Sequence, residues 1–170
     1  MLSEKMEAAL NRQLNKELYS AYLYLSMSAY STYIGLKGFA NWFKVQYQEE
    51  MAHAMKIYDY INSRGGQVNL IAIEQPIAVF KAPLDMFEKT LAHEQFVTKS
   101  INELVDLAIA EKDHATNIFL QWYVTEQIEE EGNDIDIIAK LKLIGDDGNG
   151  LLMLDKELAM RVFTPPAASE

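Results

Sequence analysis

The sequence predicts an all-α protein: a four-helix bundle with one long crossover plus a short fifth C-terminal helix. Three observations predict it. Four long stretches repeat their apolar residues every three to four positions and hold almost no internal Gly or Pro. Two of the connections between them are only a few residues long, whereas the middle one runs to about seventeen. With 170 residues, 49% of them hydrophobic, the chain can bury the core of one compact domain spanning residues 1–170.

The first helix is expected over about 3–33, with Ser3 as N-cap and Gly35 as the stop. The second is expected over 38–64, halted by Gly65-Gly66. Pro83 suits the first position of the third, 83–112, where its missing N–H goes unneeded. The fourth is expected over 114–143, ahead of Gly145, and the fifth over 151–162, ahead of a Thr164-Pro165-Pro166 tail. Short links make antiparallel hairpins of helices one and two, and of three and four. A 27-residue helix is about 40 Å long, and seventeen extended residues reach about 56 Å. The middle link, GQVNLIAIEQPIAVFKA, can therefore run the length of the bundle and leave helix three parallel to helix two. It is unusually apolar (Val68, Leu70, Ile71, Ile73, Ile77, Val79, Phe80), so it is expected to form part of a subunit interface.

Composition excludes several classes of function. The formal net charge of -10 argues against binding a phosphate backbone, so no nucleic-acid partner is expected, and it suits attraction of cations. The absence of cysteine removes disulfides, thiolate metal sites and thiol catalysis. No run of eighteen apolar residues occurs, so no membrane span is expected. The opening MLSEKMEAALNRQ lacks the apolar core of a signal peptide, which makes a cytoplasmic location the expectation.

Each long helix carries one glutamate inside its apolar stripe. Glu17 shares a face with Met6, Leu10, Leu14, Ala21 and Tyr24, and Glu50 lies among Phe39, Phe43, Tyr47, Ala54, Ile57 and Ile61. Glu94 lies among Phe87, Leu91, Val97, Ile101 and Val105, and Glu130 among Phe119, Tyr123, Ile137 and Leu141. Each stands about 15 to 18 residues from its hairpin turn, so the four share one level near mid-bundle, within about one helical turn. Carboxylates converging in a dry interior repel unless protons or a metal neutralise them. His53 follows Glu50 by three residues, which aims both at one locus. The spacing also repeats: Glu17 to Glu50 is 33 residues with His53 three further, and Glu94 to Gln127 is 33 with Glu130 three further. Two facing half-sites are what a two-metal centre needs. Carboxylate oxygens with one imidazole favour iron or manganese over copper or structural zinc.

One Glu on each of two helices, with Glu-x-x-His on another, is the carboxylate di-iron pattern of ferritin-like bundles. Along essentially its whole length the chain resembles prokaryotic (bacterial and archaeal) non-haem ferritins. The resemblance is carried by ELYSAYLYLSMSAY (17–30), KGFANWFKVQYQEEMAHAMKIYDYI (37–61), His93-Glu94, FLQWYVTEQIEEE (119–131) and GLLMLDKEL (150–158). It implies that Glu17, Glu50 and His53 bind one iron, with Glu50 bridging, and that Glu94 and Glu130 hold the second. Gln127 stands where a symmetric site would have a second bridging Glu, and would hydrogen-bond near the centre. Glu49, Glu126 and Glu129, with Glu130, match the family's third, more exposed iron site. Tyr24, about 20° round the helix from Glu17, resembles the tyrosine that ferritins keep beside the centre.

The resemblance further implies a ferroxidase that oxidises Fe(II) with O2 or peroxide and stores Fe(III) mineral inside a homo-oligomeric shell of about 24 subunits. A peroxide-reducing, rubrerythrin-like di-iron enzyme without storage is the competing reading. Such proteins usually carry paired cysteines in a rubredoxin module, and this chain has none. A DNA-protecting mini-ferritin would lack the fifth helix. Met51 occupies the place of a haem-ligating methionine in bacterioferritins, but the second Glu-x-x-His of that family is missing, so a packed methionine is expected and no haem. Trp122 is expected to be a plain core aromatic, and His93 and His114 surface or interface residues. The acidic pair lining iron channels in eukaryotic ferritins falls here on Asn117 and Leu120.

Overall fold

A computed structural model describes residues 1–165. Pro166, the last residue of the expected tail motif, and the end of the expected domain lie outside the described residues. The chain forms α1 (Glu4–Tyr33), α2 (Lys37–Ser63), α3 (Pro83–Ala110), α4 (His114–Ile144) and α5 (Gly148–Leu158), with no strand among the described residues. None of these helices is long and apolar enough to cross a membrane.

The ends follow local chemistry. Ser3 accepts a hydrogen bond from the Met6 N–H at 3.0 Å, and Asp113 accepts from the Thr116 N–H at 3.1 Å, so α1 and α4 each have an orphan donor satisfied. Gly65, with φ +71°, takes the left-handed conformation that ends α2. The fifth helix departs from expectation at both ends. It begins at Gly148, not 151, because Asp147 accepts from the N–H groups of Asn149 and Gly150 and so starts the helix inside the Gly-rich stretch. It ends at Leu158, not 162, where Asn41 of α2 donates to the carbonyls of Leu158, Ala159 and Arg161 and draws the chain away from the helix axis.

The side-chain bonds establish the topology. Gln13 meets Ser100, Ser20 meets His93 and Met27 meets Thr90, so α1 and α3 run antiparallel. Gln46 meets Glu130, His53 meets Tyr123 and Tyr60 meets Thr116, so α2 and α4 do the same. With α1 and α2 an antiparallel hairpin, α2 and α3 are parallel, as the long crossover requires.

That crossover has no regular structure and borrows its hydrogen bonds from α1. Asn11 binds the Gln67 carbonyl and the Asn69 N–H, Asn15 reaches the carbonyls of Ile71 and Ala72, Ser26 bonds Ile77 and Tyr30 bonds Phe80. The link is thereby pinned along about 29 Å of α1. Its apolar residues divide. Phe80 is buried and Val68 packs partly on the core, whereas Leu70 (64% exposed) and Val79 (76%) face outward with Ile71, Ile73 and Ile77.

The core is split. One apolar cluster gathers Tyr24, Met27, Phe39, Trp42, Phe43, Phe87 and Ile138. The other gathers Met6, Leu10, Leu14, Ala54, Ile57, Ile61, Val97 and Leu120. Of the pair at the acidic-channel positions, Leu120 is buried and Asn117 is half-buried. Helix α5 completes the first cluster with Leu154 and Leu158, each worth about 1.5–3 kcal/mol on full burial.

Nothing in the side chain at Leu36, the N-cap of α2, caps that helix. Asp155 of α5 does so instead, its Oδ1 accepting from the N–H groups of Gly38 (2.8 Å) and Phe39 (3.0 Å). Gly38 permits this approach, since a Cβ there would overlap the Asp155 carbonyl. Gly38→Ala should therefore cost about 1–3 kcal/mol and loosen α5. Thermal melting combined with hydrogen exchange of the α5 amides checks this. Unchanged α5 protection would contradict it.

Candidate metal centre

Between the two apolar clusters lies a polar layer. Glu17, Glu50, His53, Glu94, Gln127 and Glu130 are all buried, one or two from each long helix. The 3.6-residue repeat places each on its helix's inward stripe, and the antiparallel registers bring them to one level. The layer is dry, so the charge on each group decides its surroundings.

Glu17, Glu50 and His53 offer ligand atoms that lie within 4.8 Å of one another. Gln13, one turn before Glu17, donates to its Oε1 at 2.8 Å and leaves the other oxygen for the centre. Glu50 Oε2 has His53 Nδ1 at 3.4 Å but makes no hydrogen bond. A buried carboxylate oxygen without a donor is the observation a cation would explain. His53, Glu126 and Glu130 form a second group by the same distance criterion, with His53 Nε2 3.7 Å from Glu126 Oε1.

Glu94 belongs to neither group. Its oxygens accept from the Tyr24 hydroxyl and from Gln127 Nε2 at 3.1 Å. Gln127 also donates to the Glu94 carbonyl and to Thr98. Tyr24 thus touches the Glu94 side of the centre, stacked on Phe43 at 6.3 Å. Among the third-site residues, Glu126 is half-buried near His53, Glu129 is exposed, and Glu49 is bound by Arg161 at 2.6 Å.

Burial dominates the titration behaviour. It holds Glu50 well above the usual carboxylate range, partly offset by the neighbouring His53. Glu94 is raised by burial against the hydrogen bonds from Tyr24 and Gln127, and Glu130 by burial and then by Glu94. Burial by itself would lower His53, but the Glu50 charge and the contacts to Glu126 and Glu50 raise it well above its ordinary value. Burial therefore favours the protonated carboxyls of Glu50, Glu94 and Glu130. Burial also raises the Tyr24 phenol further, so it remains a donor.

Other expectations resolve differently. His93, expected at the surface or an interface, is half-buried: its Nε2 lies 2.7 Å from Ser20 Oγ, its ring meets Tyr24 edge-on, and burial lowers it to about 4. Trp122 packs edge-on against the His53 ring at 5.2 Å, so it supports a site residue as well as the core. Sequence reasoning missed Gln13, Gln46 and Asp134. The signal was present, because Gln13 and Gln46 each precede a core glutamate by four residues and Asp134 follows Glu130 by four. Asp134 is 1% exposed, both its carboxylate oxygens lack partners, and burial with Glu94 and Glu130 pushes it up to about 9.

Comparison with known proteins agrees with this arrangement. Residues 7–144 match the family model described as a ferritin-like domain. A bacterial non-heme ferritin of Campylobacter jejuni is 47% identical over 156 residues, covering 92% of this chain and 93% of its own. One of Bacteroides fragilis is 44% identical over 161 residues, covering 95% and 100%. Among solved structures, an open pore ferritin from the hyperthermophilic archaeon Archaeoglobus fulgidus superposes with a TM-score of 0.95. It is 57% identical and covers 95% of this chain and all of that one.

Asp134 yields a pH prediction. Its carboxyl stays protonated when folded but ionises above about pH 4 when unfolded. Its penalty is therefore absent at low pH and grows as pH rises toward 9, by up to about 1.4 kcal/mol per unit. Asp134→Asn should match the parent near pH 4 and gain on it steadily from pH 5 to 8, in melts of metal-free protein. A pH-independent difference would contradict this.

Proposed function

The chain belongs to the ferritin family and is an iron-storage protein, and on that premise we propose that it is a ferroxidase. Fe(II) is substrate and cargo. Glu17, Glu50 and His53 take one Fe(II), and Glu94 and Glu130 take a second, with Glu50 shared between them. Two Fe(II) surrender one electron each to O2, which with two protons leaves as hydrogen peroxide; with peroxide as oxidant the product is water. Anionic ligands favour Fe(III), so the carboxylates bias the site toward product.

The observation that carries this reading is Glu50, whose Oε2 is buried without a hydrogen bond and which offers a ligand atom within 4.8 Å of those from Glu17 and His53. Gln13, Gln46, Tyr24 and Gln127 orient the remaining carboxylates by donating to them. Gln127 in place of a second bridging carboxylate, with no imidazole on that side, makes the Glu94–Glu130 position the weaker of the two. A weak position suits a site that passes iron onward. Glu49, Glu126 and Glu129 supply a third position for outgoing iron. The exposed residues Leu70, Ile71, Ile73, Ile77 and Val79 of the crossover, with exposed Tyr22 and Leu25 of α1, provide apolar surface for assembling a shell of about 24 copies.

Aerobic addition of several hundred Fe(II) per assembly should give fast Fe(III) absorbance, with the iron co-eluting with a large species on a sizing column. Glu50→Ala should slow oxidation by at least about tenfold. Oxidation stopping at about two irons per chain on a small oligomer would contradict storage.

Metal must also displace protons from Glu50, Glu94, Glu130 and His53, all of which are raised. Anaerobic Fe(II) binding should therefore tighten from pH 6 to 8 and release protons. Calorimetry in two buffers of different ionisation heat measures that release, and a buffer-independent heat would overturn the assignment.

A further inference from the structure

Trp42, Gln46 and Glu49 stand at i, i+4 and i+7 on α2, the stripe that continues four residues later to His53. Arg161, just beyond α5, lies along this stripe and engages all three. Its guanidinium sits over the Trp42 ring at 4.5 Å. Nη1 donates to Gln46 Oε1 at 2.6 Å and Nη2 to Glu49 Oε2 at 2.6 Å. Its own carbonyl accepts from Asn41 at 2.9 Å, which ties the segment to α2.

Gln46 is fully buried and passes the contact inward, its Nε2 donating to Glu130 Oε2 at 2.5 Å. An arginine can only donate. By donating to the Gln46 carbonyl it dictates the amide's orientation, so the Gln46 NH2 must face Glu130. One Glu130 oxygen is thereby held and the other left for the centre. At the same time the guanidinium neutralises Glu49, opposing the rise that burial alone produces.

We propose that Arg161 is a positioning residue with two effects: through Gln46 it fixes Glu130, and at Glu49 it competes with the third cation. A cation entering that position must take Glu49 from a guanidinium held by three contacts. This keeps the third position weakly occupied, as suits a transit step and not a resting place. The segment after α5 thus reaches the centre it closes over. The inference rests on the assignment of Glu49 to a third cation position.

The test titrates the assembled, metal-free protein with Zn(II), which has no redox chemistry, and follows binding by calorimetry. Arg161→Gln should strengthen the weakest step about five- to tenfold, the scale of a half-buried ion pair. Arg161→Lys, which restores the charge, should return most of the parent behaviour. Gln46→Leu should weaken one of the tighter steps about tenfold and leave the weakest step in place. Glu49→Gln should abolish the weakest step, and adding Arg161→Gln to it should change only the tighter step that Gln46→Leu weakens.

If Glu49→Gln abolishes that step while Arg161→Gln does not strengthen it, the role of Arg161 is overturned and the third position stands. If Glu49→Gln leaves the titration unchanged, the third position and this inference fall together. Tighter steps unaltered in Gln46→Leu would overturn the effect on Glu130. A sizing column shows whether each variant keeps the parental assembly.

Discussion

Four carboxylates held in a dry plane are the constraint around which this molecule is arranged. Removing one charge from water costs several kcal/mol unless it is paired. Among the described residues no lysine or arginine is buried to match them. It supplies Gln13, Tyr24, Gln46 and Gln127 as donors, and His53 as the one imidazole. These groups satisfy part of the layer and leave Glu50 Oε2 without a donor. Two separate apolar clusters above and below hold the layer in place, so the cost of the polar plane is offset by burial on either side.

The two hairpins solve the same problem with different chemistry. In α1 and α2 the repeat ends in an imidazole, and three ligand groups converge. In α3 and α4 the equivalent positions are Gln127 and Glu130, and Glu94 turns to the donors Tyr24 and Gln127. An amide can orient a carboxylate but cannot replace one as an anionic ligand. On the function proposed above, the halves would hold cations unequally, and that inequality would give direction to the passage of iron from the centre toward Glu126, Glu129 and Glu49.

The short fifth helix does more than extend the bundle. Asp155 caps α2, Asn41 of α2 caps α5 in return, and Arg161 follows directly. One reciprocal joint thus links the end of the chain to the helix that carries Glu49, Glu50 and His53.

The helical stripes, the hairpins, the parallel crossover and the glutamate carried in each stripe were legible in the sequence. All are set by spacing within one helix or by the length of one link, which local periodicity reports. The four-helix bundle with one long crossover followed from them, and the ferritin family entered as a resemblance. The tertiary structure alone decided where α5 ends, and that Phe80 turns inward while Leu70 and Val79 face out. It alone placed Asp155 over Gly38 and Arg161 against Glu49. The last two depend on groups more than a hundred residues apart meeting across a packed interface, and no periodicity along the chain encodes which distant donor a given carboxylate will find.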